Sequence, residues 1–208
     1  MKIVAISDTH SLHDSITSKL PEANILICAG DITNNGSLSD LCKFDKWLGE
    51  IKDRYDKILV ISGNHDRILE KDPKSKKFLT NCIYLQDELF EWKGIRIYGS
   101  PWTPVFYNFS FMKQRGPEIR KVWDLIPEDL DILITHGPPI GILDHVPRGH
   151  VGCEQLKEVV EIKKPRYNIF GHIHEGYGQI EKDGTIYINA SICNEYYNPI
   201  NPVVEVSI

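Results

Sequence analysis

No C-x-x-C pair occurs in this chain of 208 residues, and its cysteines, Cys28, Cys42, Cys82, Cys153 and Cys193, are odd in number and widely scattered. That pattern fits reduced thiols better than a disulfide framework or a cysteine-type zinc site. Equally missing is an apolar run long enough for a signal peptide or a membrane span, because Met1-Lys2-Ile3-Val4-Ala5-Ile6 meets Ser7-Asp8 at once. The expectation is a soluble, cytoplasmic chain with no membrane partner. Positive charge is also short: the formal net charge is -5, and the one dense basic run, Lys71 to Lys77, is interrupted by Asp72 and Pro73. That run reads as a solvated face, and no extended nucleic-acid groove is evident. Neither an internal repeat nor a low-complexity linker divides the chain, whose length suits one domain over residues 1–208.

What the chain does have is enough apolar material for a continuous core, 41% hydrophobic residues including 7 Phe, 9 Tyr and 4 Trp. Short apolar runs of strand character recur at Ile3 to Ile6, Ile25 to Ala29, Ile58 to Ile61, Ile132 to Thr135 and Tyr167 to Phe170. Helical spacing lies between some of them, most clearly from Leu38 to Ile51, where Leu41, Phe44, Trp47, Leu48 and Ile51 share a face, and again from Glu154 to Ile162. Two further segments read as hairpins, Leu89 to Trp92 with Ile95 to Tyr98 across Lys93-Gly94, and Gly178 to Glu181 with Thr185 to Ile188 across Asp183-Gly184. The fold class is therefore α/β (α+β) with mixed sheets, and Val203 to Ile208 is expected to join a sheet edge. Ser100 to Pro127 is the least regular stretch and carries Trp102, Phe106, Tyr107, Phe109, Phe111, Arg115 and Trp123. A loop this aromatic folds back on the core, lines a pocket, or does both.

Metal-binding residue types fall at the ends of the apolar runs. Asp8 and His10 follow the first, Gly30-Asp31 the second, Gly63-Asn64-His65-Asp66 the third, Thr135-His136-Gly137 the next and Gly171-His172-Ile173-His174 the last. Each alone is weak, since an Asp-x-His can be a turn and a lone histidine is more often structural. Together they point to a shared site, because the carboxyl ends of strands in α/β sheets form the crevice where ligands bind.

In these motifs, together with Asn34 to Gly36, the chain resembles the calcineurin-like metallophosphoesterases along its whole length. Pro138-Pro139, Val151-Gly152-Cys153, Arg115-Gly116 with Trp123, and Ile188-Asn189-Ala190-Ser191 further resemble the metallophosphoesterase-domain-containing branch, which is similar to class III cyclic nucleotide phosphodiesterases. The resemblance implies a four-layer αββα sandwich, two mixed sheets face to face with helices outside. It also implies two divalent metal ions, one on Asp8, His10, Asp31 and His174 and the other on Asp31, Asn64, His136 and His172, with Asp31 bridging. The sequence departs from the pattern at no ligand position.

Neutral imidazoles, one amide and two carboxylates suit Mn²⁺, Fe²⁺, Zn²⁺ or Ni²⁺, with manganese placed first, better than Mg²⁺ or Ca²⁺. Two such ions bring four positive charges and two carboxylates remove two, which leaves about two for a bridging hydroxide and an anion; a diester monoanion neutralises the centre and a monoester dianion overshoots. The chemistry expected is hydrolysis of small phosphodiesters, and the branch resemblance adds 2′,3′-cyclic nucleotides as a substrate class. A phosphomonoesterase or nuclease on the same centre, a one-metal hydrolase and a non-catalytic protein-binding scaffold are the alternatives.

Adjacent to Asn64, His65 is not needed in either metal shell and is expected to act as general acid at the leaving-group oxygen; a purely structural loop histidine is the alternative. Asp66 is expected to orient it. Asn34, Asn35, Arg115, His145 and His150 are candidates for substrate contact, Arg115 foremost because a guanidinium clamps phosphate or stacks on a base, although a surface salt bridge explains it equally well. His13 is expected at the surface.

Overall fold

The computed structural model describes residues 1–208. Eleven strands carry the architecture: β1 Lys2–Ile6, β2 Ala23–Ala29, β3 Tyr55–Ile61, β4 Ile83–Tyr84, β5 Glu88–Trp92, β6 Ile95–Ser100, β7 Ile132–Thr135, β8 Tyr167–Phe170, β9 Gly178–Lys182, β10 Thr185–Asn189 and β11 Val204–Ser207. A 5-stranded sheet runs β11-β1-β2-β3-β4, and a 6-stranded sheet runs β9-β10-β8-β7-β6-β5. β1 to β4 are parallel with β11 antiparallel at the edge; β10, β8, β7 and β6 are parallel with β9 and β5 antiparallel at the two edges.

Strand alternation explains the layering. In β1, Ile3 and Ala5 point into a cluster with Ile25, Ile27, Leu59 and Ile61, and that cluster also holds Ile97, Ile132, Ile134, Ile169 and Ile188 of the second sheet. The two sheets are thus packed face to face. The opposite faces of β1 to β3, through Val4, Ile6, Leu26, Cys28, Ile58 and Val60, meet helix α1, Leu38–Ile51. The short helix α2, Arg67–Lys71, follows the third motif. On the far side Tyr98, Leu133, Phe170 and Tyr187 meet α3, Pro117–Trp123, and α4, Glu154–Lys163. A strand buried on both faces must be apolar at every position, which is why these runs are continuous rather than alternating. The four-layer arrangement expected from the resemblance is the one observed.

Local signals explain the element ends. The Ser37 hydroxyl accepts a hydrogen bond from Asp40 N at 3.1 Å and starts α1. Leu41, Phe44, Leu48 and Ile51 are then fully buried, each contributing about 1.5–3 kcal/mol of burial. Both hairpin turns have positive φ at their two central residues, Lys93 at 50 and Gly94 at 80, Asp183 at 52 and Gly184 at 87, as a type I′ turn requires.

Between Ser100 and Pro127 the aromatic residues divide. Phe111 and Trp123 have no exposure and belong to the core, whereas Phe106 and Phe109 line a cavity. The same stretch is more regular than its composition suggests, since it holds α3; Gly116 at φ 83 and Pro117 at the first helical position open that helix. No helix is long and apolar enough to cross a membrane.

His13 differs from expectation. It is 3% exposed and packs against Trp47 and Phe44, with ring centroids 5.0 and 5.5 Å away. A 3-10 turn over His13–Lys19 folds it beneath α1, and its apolar neighbours, not water, form its surroundings.

Candidate metal centre

Because β1, β2, β3 and β7, β8 run parallel within their sheets and the sheets pack face to face, the motif-bearing loops meet along one seam. Cross-sheet bonds hold it: Ser7 N donates to Ala190 O at 2.8 Å, His136 Nδ1 to Ala29 O at 2.9 Å, and His172 N to Asp8 Oδ2 at 2.9 Å. Glycine is required where the loops touch. A Cβ on Gly63 would lie 2.5 Å from both Asp31 N and His136 Cε1, and one on Gly171 would overlap Asp8 Oδ2 and Ser7 Oγ.

The seam gathers its donor atoms into groups. Asp8, His10 and His174 form one, and Asp31, His136 and His172 another, with ligand atoms in each within 4.8 Å of one another. Asn64 belongs with the second, its Oδ1 lying 3.0 Å from His136 Nε2. Asp31 stands between them: Oδ1 is 3.4 Å from His136 Nε2 and Oδ2 is 3.8 Å from His10 Nε2. A third grouping, His10, Asp31 and His65, overlaps the first two. The histidine tautomers are set by backbone carbonyls, since Nδ1 of His136 donates to Ala29 O and Nδ1 of His174 to Asn194 O at 2.9 Å, which leaves Nε2 of each as the free lone pair.

Asp8 at φ 54, His10 at φ 43, Asp31 at φ 50 and His172 at φ 69 all lie in the left-handed region. Each such residue costs on the order of 1 kcal/mol or more, and strain of this kind clusters at functional sites. Asp8 Oδ1 and His10 Nδ1 are buried without any hydrogen-bond partner, and an unpartnered buried carboxylate oxygen is a feature that a bound cation relieves.

Electrostatics agree with a cation site. Burial pushes Asp8 towards the neutral form, yet His174, whose Nε2 lies 3.4 Å from Oδ1, holds it through its charge well below the usual carboxylate range. Burial works against Asp31 too, and is outweighed by the charge and hydrogen bond of His136 and the charge of His10. Desolvation lowers His10 to about 4 and His172 to about 3, the latter assisted by the charge of His136. Burial also disfavours the charged forms of His136 and His174, but Asp31 raises His136 to about 9 and Asp8 raises His174. The carboxylates therefore favour the protonated forms of His136 and His174, and a divalent ion binding there would compete with those protons. The donor set and geometry fit two ions sharing Asp31.

Asp66 does not orient the His65 ring. Its carboxylate accepts from Gly63 N at 2.8 Å, Thr33 N at 2.9 Å and Thr33 Oγ1 at 2.8 Å, which locks the loop after β2 to the loop after β3. Burial, then the Asp31 charge, pushes it up to about 6. The His65 ring is held instead by Asn34, whose carbonyl oxygen lies 2.6 Å from Nδ1, while His65 N donates to Asp31 Oδ1 at 2.8 Å.

Next to these groups lies a cavity of about 350 Å³ lined by Asp31, Asn64, His65, Phe106, Phe109 and Arg115 among others. Arg115 is already engaged, with Nη1 donating to Gly152 O at 2.8 Å, Nη2 to Val151 O at 2.9 Å, and an ion pair to Glu154. Of the other substrate candidates, Asn34, Asn35, His145 and His150 do not line this cavity, and Asn34 lines the shallower depression beside it. His150 donates to the buried Asp144 Oδ1 at 2.6 Å and faces His145, and so belongs to a loop clasp. Arg148 and Tyr197 also line the cavity; no motif marked them, since neither lies at a strand end.

Comparison with known proteins agrees with this geometry. The family model "Calcineurin-like phosphoesterase" matches residues 1–176. Metallophosphoesterase domain-containing protein 1 of Homo sapiens and that of Mus musculus are each 42% identical over 234 residues, covering 100% of this chain and 71% of the relative. A UPF0046 protein of Caenorhabditis elegans is 38% identical over 227 residues, covering 94% of this chain and 57% of its own. The crystal structure of TT1561 of Thermus thermophilus shares the fold, with a TM-score of 0.63 at 13% identity over 90% of this chain and 88% of that one. The chain belongs to the calcineurin-like phosphoesterase family, whose chemistry is metal-dependent hydrolysis of phosphoesters.

Proposed function

We propose that this protein is a phosphodiesterase for small substrates, with Asp8, His10, Asp31 and His174 holding one divalent ion and Asp31, Asn64, His136 and His172 a second. The observation that carries the proposal is the position of Asp31, whose two carboxylate oxygens face one histidine from each group. Ions bound there would supply positive charge to the phosphoryl oxygens and lower the pKa of a water that serves as nucleophile. Mn²⁺ is placed first among the borderline ions that such nitrogen-rich ligands take.

The remaining steps belong to the chain. His65, with Nδ1–H donating to the Asn34 carbonyl oxygen, acts as general acid in its imidazolium form, giving the Nε2 proton to the leaving-group oxygen and ending as the neutral ring that keeps its Nδ1–H on Asn34. Phe106 and Phe109, stacked with centroids 5.3 Å apart and an interplanar angle of 28°, offer an apolar wall to an ester group such as an aryl ring or a nucleobase. The charge count of the centre favours a monoanionic diester over a dianionic monoester, and 2′,3′-cyclic nucleotides are diesters of suitable size.

The test is hydrolysis of an aryl phosphodiester, an aryl phosphomonoester and 2′,3′-cyclic AMP side by side, with metal-free protein and with added Mn²⁺, Ni²⁺, Zn²⁺ or Mg²⁺. Metal-dependent turnover favouring the diesters is expected. A monoester preference would transfer the assignment to phosphomonoesterase, and no turnover in folded, metal-loaded protein would favour a scaffold.

A further inference from the structure

The turn from Asn194 to Asn198 is built around one side chain. Asn194 Oδ1 accepts from Tyr196 N at 3.1 Å and Asn198 N at 2.9 Å, and Asn194 N donates to Asn198 O at 2.9 Å. The Asn194 carbonyl oxygen accepts from Tyr197 N at 2.9 Å and also from His174 Nδ1 at 2.9 Å. One carbonyl therefore sets the tautomer of a candidate metal ligand and the direction of Tyr197. That tyrosine is held at φ 60, a conformation that asparagine or glycine tolerates and a bulky side chain does not favour. Over-determined backbone of this kind is how a strained residue persists at a functional site.

The strain places the Tyr197 ring over the seam. Its centroid is 4.7 Å from that of His10, 5.1 Å from His174 and 6.3 Å from His65. It lines the 350 Å³ cavity with Asp31, Asn64 and His65, and with His65 it also lines the shallow depression beside it, so the two side chains form the partition. The residue is 45% exposed and its hydroxyl makes no hydrogen bond with the protein.

We propose that the Tyr197 hydroxyl is a further catalytic group, donating a hydrogen bond to a non-bridging oxygen of the phosphoryl group as negative charge grows on it; this rests on the phosphodiesterase reading above. A phenol suits the place because it is a neutral donor. It stabilises developing charge without adding a positive charge to a centre that a monoanionic diester already balances, and a donor fixed in advance needs no reorganisation as the charge grows. The ring packing on His10 and His174 holds the donor at one position, so little freedom is lost when substrate arrives.

Tyr197→Phe separates this role from mere packing, since it keeps the ring and removes only the hydroxyl. Three properties of metal-loaded parent and variant are compared: kcat and KM on an aryl phosphodiester, affinity for inorganic phosphate by calorimetry, and metal content with Tm. The expected result is a kcat about ten- to a hundred-fold lower, phosphate binding weakened several-fold, and unchanged metal content and Tm. Rate and phosphate affinity both within twofold of the parent, or loss of metal along with the hydroxyl, would overturn the proposal. Should the parent hydrolyse no diester, the diesterase reading fails by itself and the phosphate titration still decides: a several-fold loss in the variant sustains the Tyr197 contact, and equal affinity or no phosphate binding overturns it.

Discussion

The Nε2 atoms of His10 and His174 stand 3.2 Å apart, although 164 positions separate the two residues in the chain. Two imidazole lone pairs brought that close repel unless a proton or a cation lies between or beside them. Asp8 Oδ1, 3.4 Å from His174 Nε2 and without a hydrogen-bond partner of its own, completes a negative, converging set. The chain has folded donors against donors at the end of β1 and after β8, and the arrangement makes chemical sense around an ion.

If Asp31 bridges two ions, replacing it with the near-isosteric Asn should remove metal and activity together. Metal content of purified Asp31→Asn, measured by elemental analysis, should fall below two ions per chain, with kcat/KM lower by at least about a hundredfold, since even residues that only support ligands are worth ten- to a hundred-fold. Full activity in this variant would end the two-ion assignment.

His65→Ala should behave differently. Metal content stays at the parent level, and kcat falls by about 10² to 10⁴, the usual range for a lost general acid. The loss should shrink for a nitrophenyl leaving group, which needs little protonation, and grow for an alkyl one. Loss of metal would instead make His65 a ligand alongside His10 and Asp31.

Gly171→Ala tests the close approach of the loops. The added methyl would overlap the Asp8 carboxylate and the Ser7 hydroxyl, so Asp8 must move and divalent-ion affinity should drop, read by calorimetric titration of the metal-stripped variant. Gly184→Ala provides the contrast. Nothing lies within 4 Å of a Cβ there, although φ is +87; about 1 kcal/mol of backbone strain should lower Tm slightly and leave metal affinity intact.

His13 predicts a pH dependence of stability separate from the metal centre. Burial lowers its pKa below 6.5, with Asp14, Asp40 and Glu50 pulling weakly the other way and Lys43 assisting. The unfolded chain thus binds a proton that the folded chain does not between the folded value and 6.5, so stability is lost as pH falls below 6.5. Denaturant unfolding of the parent and of His13→Gln, which has no titrating ring, should show a steeper acid loss in the parent; equal slopes would mean that His13 is not neutral in its pocket.

Residue order alone determined the framework and marked most of the candidate site. Unbroken apolar runs such as Ile25 to Ala29 can only be strands covered on both faces, and Asp, His and Asn at the ends of such runs share an edge when the strands are parallel. Short-range chemistry of this sort is written in the chain itself because it depends on neighbouring residues. Tertiary structure decided what depends on distant partners. His13 is buried because a turn and α1 close over it, Asp66 ties two loops because Thr33 and Gly63 converge on it, and Arg115 is occupied because Val151, Gly152 and Glu154 lie within its reach. Tyr197, in a turn with no metal-binding motif, reaches the seam only because Asn194 bends the backbone and shares its carbonyl with His174. Those relationships join residues remote in sequence, and no periodicity or motif encodes a contact that packing alone creates.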